Sequence, residues 1–241
     1  MSSKKKTIAG VTRRHGIAAA PALTGRTKIV ILAAVSLAVA AAIAIIAISV
    51  AQSTVNRAAT APEGGTAVVR ANSHVLGEAA DGKVTLVEFL DFECEACGAL
   101  YPHVEQLRED YAGRITFVTR YFPLPGHQNS KPAAIAAEAA AAQGEFEQMY
   151  RMMFETQPQW GERQETQAAI FRGFAEEIGL DMTEFDAAVA DPATLDRVLV
   201  DFNDGVALGI QSTPTFFLNG EMMTITSIDD FRAQIDAALA E

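Results

Sequence analysis

The hydrophobic pattern near the start of the chain is a long apolar run without any charge. It covers residues 29–48 and reads IVILAAVSLAVAAAIAIIAI. Twenty helical residues extend about 30 Å, which matches the hydrocarbon core of a bilayer. The pattern therefore predicts a single transmembrane anchor at residues 29–51. A cleaved signal peptide is the alternative, because Ser49-Val50-Ala51 resembles a cleavage site, although the run exceeds the roughly 7–15 apolar residues of such signals.

After the anchor, the pattern changes to a short polar stretch and then to strands and helices. Residues 52–72 lack sustained periodicity, which is typical of a linker, and a folded domain is predicted at 73–241. The segments Val84–Phe92 and Ile115–Phe122 are rich in β-branched and aromatic residues and predict buried strands. Between them, apolar residues recur at helical spacing from Cys94 to Tyr111. A strand, a helix and a second strand in this order predict a parallel crossover.

The region at about 128–209 is almost entirely helical by pattern. Its apolar residues lie three or four positions apart, and caps or glycines separate one helix from the next. Rows of Met and aromatic residues at this spacing pack into a core, so we predict no cofactor site there. The chain then returns to strands around Asn219-Gly220, a dipeptide that predicts a hairpin, before a last helix. The predicted helix caps are Ser130, Asp181 and Ser227.

Charge orients the predicted anchor. The segment at 1–28 contains seven Lys or Arg residues and no acid. The positive-inside rule therefore predicts that this segment is cytoplasmic and that everything after the anchor is extracytoplasmic, in a single-pass protein of the cell membrane. The rest of the chain has 12 basic and 30 acidic residues, a balance of −18. Such an acidic body repels phosphate backbones, which argues against a nucleic-acid partner.

The two cysteines of the chain are the strongest candidates for chemistry. Cys94 and Cys97 occur in the sequence FECEACG, at the start of the first predicted helix. Their spacing brings the Cα atoms near the 4.4–6.8 Å that a disulfide requires. The unpaired N–H groups and the dipole at a helix N-terminus favour a thiolate on the first cysteine. We therefore predict Cys94 as the nucleophile and Cys97 as the resolving thiol.

Three other interpretations of the cysteine pair are weaker. A zinc site needs two more ligands, and the four histidines, His15, His74, His103 and His127, are scattered along the chain. A purely structural disulfide closes so short a loop that it stabilises a fold only weakly. Inert free thiols are expected to oxidise outside the cytoplasm. The pair is therefore predicted to be redox-active, with no metal or other cofactor.

The run VTLVEFLDFECEACGALYPHVEQL, together with Thr213-Pro214 before TFFLNG, resembles the DsbA-like thiol–disulfide oxidoreductases. The resemblance covers residues 73–241. It implies an α/β architecture, a thioredoxin-like fold with an inserted helical subdomain, here preceded by one N-terminal transmembrane helix. It also implies that Pro214 is a cis-proline opposite the cysteines, and that Thr213 and Pro214 shape a groove for substrate.

The same resemblance implies the reaction and the partners. A protein of this kind introduces disulfides into secreted or cell-envelope proteins, and a membrane partner of the DsbB or vitamin-K-epoxide-reductase type reoxidises it. Because the chain has no third cysteine, an internal electron relay is excluded. An extracytoplasmic reductase or isomerase, for example in cytochrome maturation, is the nearest alternative. A non-catalytic peptide-binding module with the same fold is a second alternative.

Glu88 and His127 are two further side chains considered for a role in the site. Glu88 lies six residues before Cys94 in an otherwise apolar strand, where a buried carboxylate needs a partner or a use. Pairing with a nearby Lys or Arg is one interpretation. The resemblance implies another, in which Glu88 relays a proton for Cys97. His127 precedes a helix on a loop, and we predict that it packs the loop rather than acting in catalysis.

The dipeptide between the cysteines departs from the strongly oxidising members of the family. Those members carry Pro-His, whereas this chain has Glu95-Ala96. With Asp91 and Glu93 close by, like-charge repulsion is expected to raise the pKa of the thiol. A less stabilised thiolate makes the disulfide less oxidising. We therefore hypothesise a weaker oxidant than the Pro-His members.

Overall fold

A five-stranded mixed sheet forms the centre of the computed structural model, which describes residues 67–241. In chain order the strands are β1 (His74–Gly77), β2 (Thr85–Leu90), β3 (Thr116–Tyr121), β4 (Thr215–Leu218) and β5 (Glu221–Met222). Across the sheet the order is β1-β3-β2-β4-β5. Strands β2 and β3 are parallel, and the other neighbours are antiparallel. The predicted parallel crossover is therefore confirmed.

Eight helices surround this sheet in the described part of the chain. They are α1 (Glu95–Asp110), α2 (Ser130–Ala141), α3 (Phe146–Glu155), α4 (Gln157–Trp160), α5 (Ala168–Ile178), α6 (Met182–Ala190), α7 (Pro192–Ala207) and α8 (Ile228–Leu239). Helix α1 connects β2 to β3. Helices α2 to α7 lie between β3 and β4 in the chain and match the predicted helical insertion at about 128–209. This arrangement is the predicted thioredoxin-like α/β fold.

The two faces of the sheet bury different side chains because successive residues of a strand point to opposite sides. On β2, Leu86 and Leu90 belong to a large core that also contains side chains from α1, the helical insertion and α8. Val87 and Phe89 belong to a smaller core on the other face. Alternation places Glu88 on the face of Leu86 and Leu90, which is the face that α1 covers. The strand is thus covered on both sides, as its apolar composition predicted.

A buried ion network joins the smaller core to the segment that precedes β1. Arg120 of β3 is fully buried and forms ion pairs of 2.7 Å with Asp201 and Asp204 of α7. Its other N–H groups donate to the backbone oxygens of Ala67, at 3.0 Å, and Val68, at 2.8 Å. Domain contacts therefore begin before Ser73. The predicted linker at 52–72 extended too far, because the composition of the segment does not indicate that the backbone oxygens of Ala67 and Val68 contact Arg120.

Local signals in the sequence account for several of the observed turns and helix ends. The Asn219-Gly220 dipeptide has φ values of 50° and 89° and joins β4 to β5, which confirms the predicted hairpin. Asp181 and Ser227 accept hydrogen bonds from backbone N–H groups at the starts of α6 and α8, as predicted. Ser130 is instead the first residue of α2 and follows the N-cap residue Asn129. Strand β1 and helix α4 were not predicted.

Several predictions concern residues outside the described range. The basic segment at 1–28, the transmembrane anchor at 29–51 and the linker up to residue 66 all lie there. Within residues 67–241, no helix combines the length and the apolar character that a membrane crossing requires. The anchor and the orientation of the chain across a membrane therefore stay predictions.

Candidate active site

The cysteine pair lies where β2 passes into α1. Cys94 is the N-cap residue of α1, and its carbonyl oxygen accepts the N–H of Gly98 at 3.0 Å. Both cysteines are free thiols, 7% exposed at Cys94 and 1% at Cys97. The end of the strand and the first turn of the helix thus bury both cysteines, and Cys94 remains slightly more exposed than Cys97.

The environment of Cys94 favours its thiolate. Its pKa is lowered to about 6, first by the hydrogen bond from the Cys97 thiol, and further by the contact with Thr213 and by the backbone N–H groups of Cys97 and Ala96, while burial opposes these effects. The unpaired N–H groups at a helix N-terminus act on the thiolate as they do on any anion. A pKa of about 6 leaves roughly nine-tenths of Cys94 as thiolate at pH 7.

Cys97 behaves in the opposite way. Burial raises its pKa well above the ordinary value for a thiol, and the neighbouring Cys94 and the charge of Glu88 raise it further. The reduced pair therefore holds one thiolate, at Cys94, and one thiol, at Cys97. This asymmetry suits a nucleophile and a resolving thiol.

The pKa of Cys94 is lowered rather than raised, contrary to the sequence-based expectation, and no neighbouring acid is among the main causes. Glu95 is exposed to solvent. The buried carboxylate of Asp91 accepts hydrogen bonds from the Glu93 and Leu124 N–H groups, at 2.9 and 3.0 Å, and lies 2.6 Å from His127 Nδ1. The expectation was wrong because the hydrogen bonds from the Cys97 thiol and from the backbone N–H groups of the first turn lower the pKa of Cys94. The hypothesis about oxidising strength stays a prediction.

Glu88 is buried beneath the pair. It is 2% exposed, and its Oε2 atom has no hydrogen-bond partner among the described residues. Burial, with a smaller contribution from the charge of Glu105, raises the pKa of Glu88 to about 8. No ion pair with Lys or Arg forms at Glu88 within residues 67–241. A carboxyl group with this pKa can hold a proton at neutral pH and release it.

The loop before β4 faces Cys94. The Thr213–Pro214 peptide bond is cis, and Cys94 Sγ lies 3.4 Å from the carbonyl oxygen of Thr213, to which it donates when it is protonated. The structure thus brings together Cys94, Cys97, Thr213 and Pro214, all of which were predicted from the sequence. A groove of about 580 Å³ opens beside Pro214 and is lined by residues that include His103 of α1 and Met223 and Ile225 after β5.

Three residues near the pair were not predicted from the sequence to belong to the site. Gln157 of α4 donates from Nε2 to the backbone oxygens of Phe92, at 2.8 Å, and Cys94, at 2.9 Å. The N–H of Asn129 donates to the Glu93 carboxylate at 2.6 Å. His127, predicted to pack its loop, contacts the Asp91 carboxylate. No local pattern marks these residues, because each contact joins segments that are distant in the chain.

The described residues contain no cluster of three or more His, Cys, Asp or Glu side chains that could hold a metal ion. The groups that can react at the pair include the two sulfur atoms and the buried carboxyl group of Glu88. An arrangement of this kind can exchange a disulfide with a thiol, which needs one accessible sulfur as thiolate and a second sulfur that protonates readily.

The reactivity of Cys94 should follow its lowered pKa. We expect the alkylation rate of Cys94 in the reduced full chain to rise with pH around a midpoint near 6. In a Cys97→Ala variant the midpoint should move upward, because the Cys97 thiol is the largest stabilising contact of the thiolate. A Cys94→Ala variant, which keeps the buried Cys97, is the control and should react slowly throughout. A wild-type midpoint near the ordinary value of about 8.5 would contradict this assignment.

Comparison with protein families gives a match to the thioredoxin family model over residues 70–237. Among curated proteins, the chain is 37% identical over 153 residues to the Na(+)/H(+) antiporter NhaA 1 of Mycobacterium sp. strain KMS. That match covers 61% of this chain and 24% of the antiporter. The chain therefore spans about a quarter of the length of the curated relatives it matches.

The matches to solved structures cover most of the length of those proteins. The α-DsbA1 protein of Wolbachia pipientis has a TM-score of 0.62 at 19% identity, covering 70% of this chain and 92% of the other. A thioredoxin-like oxidoreductase of Silicibacter pomeroyi has a TM-score of 0.59 at 26% identity, covering 70% of this chain and 94% of the other. Both likenesses extend over most of the described residues.

Proposed function

This chain belongs to the thioredoxin family and has the fold of DsbA-like thiol–disulfide oxidoreductases, and from that premise we propose that it introduces disulfides into secreted or cell-envelope proteins. In the proposal, the anchor at 29–51 holds the domain on the extracytoplasmic side of the membrane. The observation that carries the proposal is the asymmetry of the cysteine pair, with a thiolate at Cys94 above a protonated Cys97.

The reaction begins with the Cys94–Cys97 disulfide. A substrate thiolate attacks the Cys94 sulfur, so a bond forms between enzyme and substrate while the bond between Cys94 and Cys97 breaks. Cys97 leaves as a thiolate with a strongly raised pKa, and it needs a proton at once. Glu88, whose pKa of about 8 keeps it protonated at neutral pH, is the proposed proton donor.

A second substrate thiolate then attacks the substrate sulfur of the mixed disulfide. The bond to Cys94 breaks, Cys94 leaves as a thiolate, and the substrate keeps the new disulfide. The enzyme pair has gained two electrons. A thiol of low pKa is a good leaving group, so the lowered pKa of Cys94 supports this oxidising direction.

The groove beside Pro214 suits a polypeptide substrate. It is lined by Ser212 and Pro214, the residues on either side of Thr213, and Met223 and Ile225 provide apolar surface. An extended peptide bound there can place a cysteine sulfur near Cys94. Thr213 and Pro214 are the residues proposed to contact it.

Each turnover leaves a reduced pair that must be oxidised again. The only cysteines of the chain are the two in the pair, so the oxidant must be another molecule. We propose a membrane partner of the DsbB or vitamin-K-epoxide-reductase type. The ion exchange named for the antiporter relatives does not enter the proposal, since the match covers only a quarter of their length.

The redox state of the protein in the cell separates an oxidase from a reductase. We expect acid-quenched cells to contain the native protein mainly as the Cys94–Cys97 disulfide, so that a mass-tagging alkylating reagent adds no tag. A Cys94→Ala variant cannot form that disulfide, and it should accept one tag at Cys97 after denaturation. A native protein that takes two tags at rest would exclude the oxidase direction and support a reductase or isomerase.

A further inference from the structure

The turn that carries Cys94 has a contact from the helical insertion that the reaction scheme does not use. The side chain of Gln157, at the start of α4, is 8% exposed. Its Nε2 donates to the carbonyl oxygens of Phe92, at 2.8 Å, and Cys94, at 2.9 Å. One amide group thus bridges the two residues on either side of Glu93.

The position of these oxygen atoms matters for the thiolate. The backbone N–H groups of Ala96 and Cys97 stabilise the Cys94 sulfur only while the first turn of α1 keeps its orientation. The carbonyl oxygens at Phe92 and Cys94 carry partial negative charge close to the same turn. By donating to both, Gln157 offsets this charge and restrains the backbone on which the N–H groups depend.

A glycine makes room for this contact. A Cβ atom built on Gly98 would lie 2.0 Å from Gln157 Oε1 and 2.7 Å from its Cδ. Both are impossible distances, so any larger residue at position 98 displaces the amide group. Because glycine inside a helix is otherwise unfavourable relative to alanine, its presence in α1 is explained by Gln157.

We propose that Gln157 is a positioning residue, through which the helical insertion holds the Cys94 turn and stabilises the Cys94 thiolate. One side chain of the helical insertion then affects the protonation state of the Cys94 sulfur. This inference rests on the proposed redox role of the pair. Its test needs no protein substrate. The role of Gln157 can therefore be wrong while the proposed function is right, and the proposed function can be wrong while the role of Gln157 is right.

The test measures the pH dependence of Cys94 alkylation in the reduced full chain, for the wild type and for variants at positions 98 and 157. Gln157→Met keeps the side-chain length and removes both donors. Gly98→Ala leaves Gln157 in the sequence but displaces its amide, and it favours helix formation in α1. We expect each substitution to raise the midpoint by about half a pH unit or more, which lowers the thiolate-to-thiol ratio about threefold.

A Gly98→Ala/Gln157→Ala double variant provides the matched control. With the amide removed, the methyl group added at position 98 has nothing to displace, so the double variant should have the same midpoint as Gln157→Ala alone. A purely structural role would change the stability of these variants and leave the midpoint in place. The proposal is overturned if either Gln157→Met or Gly98→Ala keeps the wild-type midpoint, or if Gly98→Ala adds a further shift to Gln157→Ala.

Discussion

Replacement of Arg120 by methionine should lower the free energy of unfolding by about 3–5 kcal/mol, the usual loss when one partner of a buried ion network is removed. Arg120 is fully buried and pairs with Asp201 and Asp204 at 2.7 Å. Its guanidinium also lies over the Phe89 ring, 5.2 Å from the centroid. Methionine fills much of the space but leaves both carboxylates with one cation fewer. A loss of this size is a large part of the roughly 5–15 kcal/mol that stabilises most domains.

Arg172 offers a matched control for this prediction. It also pairs with two carboxylates, those of Asp186 and Glu176, but it is exposed to solvent. Solvent screens exposed ion pairs, so Arg172→Met should change stability far less than Arg120→Met. Denaturant unfolding of both variants beside the wild type measures the difference. Equal losses in the free energy of unfolding of the two variants would show that burial does not determine how much the Arg120 network stabilises the fold.

Glu88 should give the protein a distinctive dependence of stability on pH. Its pKa is about 8 in the fold, against an ordinary value of 4.5, because burial disfavours the charged carboxylate. The folded state therefore keeps a proton that the unfolded chain releases. Below pH 4.5 both states hold the proton, and the stability contributed by this group is fully present. The free energy of unfolding falls as the pH rises above 4.5, and the loss is complete once the pH has passed 8. At pH 7 the loss is about 3 kcal/mol.

A Glu88→Leu variant tests this expectation, because leucine fills the site without a titrating group. In the oxidised protein, which has no thiol to titrate, the variant should be more stable than the wild type at pH 7 by about 3 kcal/mol. The advantage should shrink as the pH falls toward 5. Denaturant unfolding at several pH values measures it. A stability difference that stays constant between pH 5 and 8 would contradict the raised pKa of Glu88.

Much of the site could be predicted because its signals are local. Two runs rich in β-branched residues, with apolar residues at helical spacing between them, predict the parallel unit of β2, α1 and β3. The cysteine pair lies at the start of the one helix in this unit. The buried position of Glu88 was visible as one acid inside an apolar strand. The peptide bond before Pro214 was expected to be cis from the family resemblance, and it is cis.

The remainder depends on contacts between distant parts of the chain. Gln157 reaches the carbonyl oxygen of Phe92, 65 residues earlier, and Asn129 reaches Glu93, 36 residues earlier. Neither side chain belongs to a periodic pattern. The expected rise in the pKa of Cys94 was wrong because the hydrogen bond from the Cys97 thiol lowers it. Distance along the chain shows that Asp91 and Glu93 are near, but only the fold shows that His127 and Asn129 engage their carboxylates.

The proposed function requires that Cys94 exchanges disulfides with protein substrates and that Cys97 acts as the resolving thiol. The most direct measurement is a search for mixed disulfides in cells that express the full chain with Cys97→Ala, using the Cys94→Ala/Cys97→Ala double variant as control. We predict adducts with cysteine-containing extracytoplasmic proteins that disappear on reduction and are absent from the double variant. If Cys97→Ala forms no adducts, Cys94 does not exchange disulfides with substrates, and the chain is a binding module rather than an oxidoreductase.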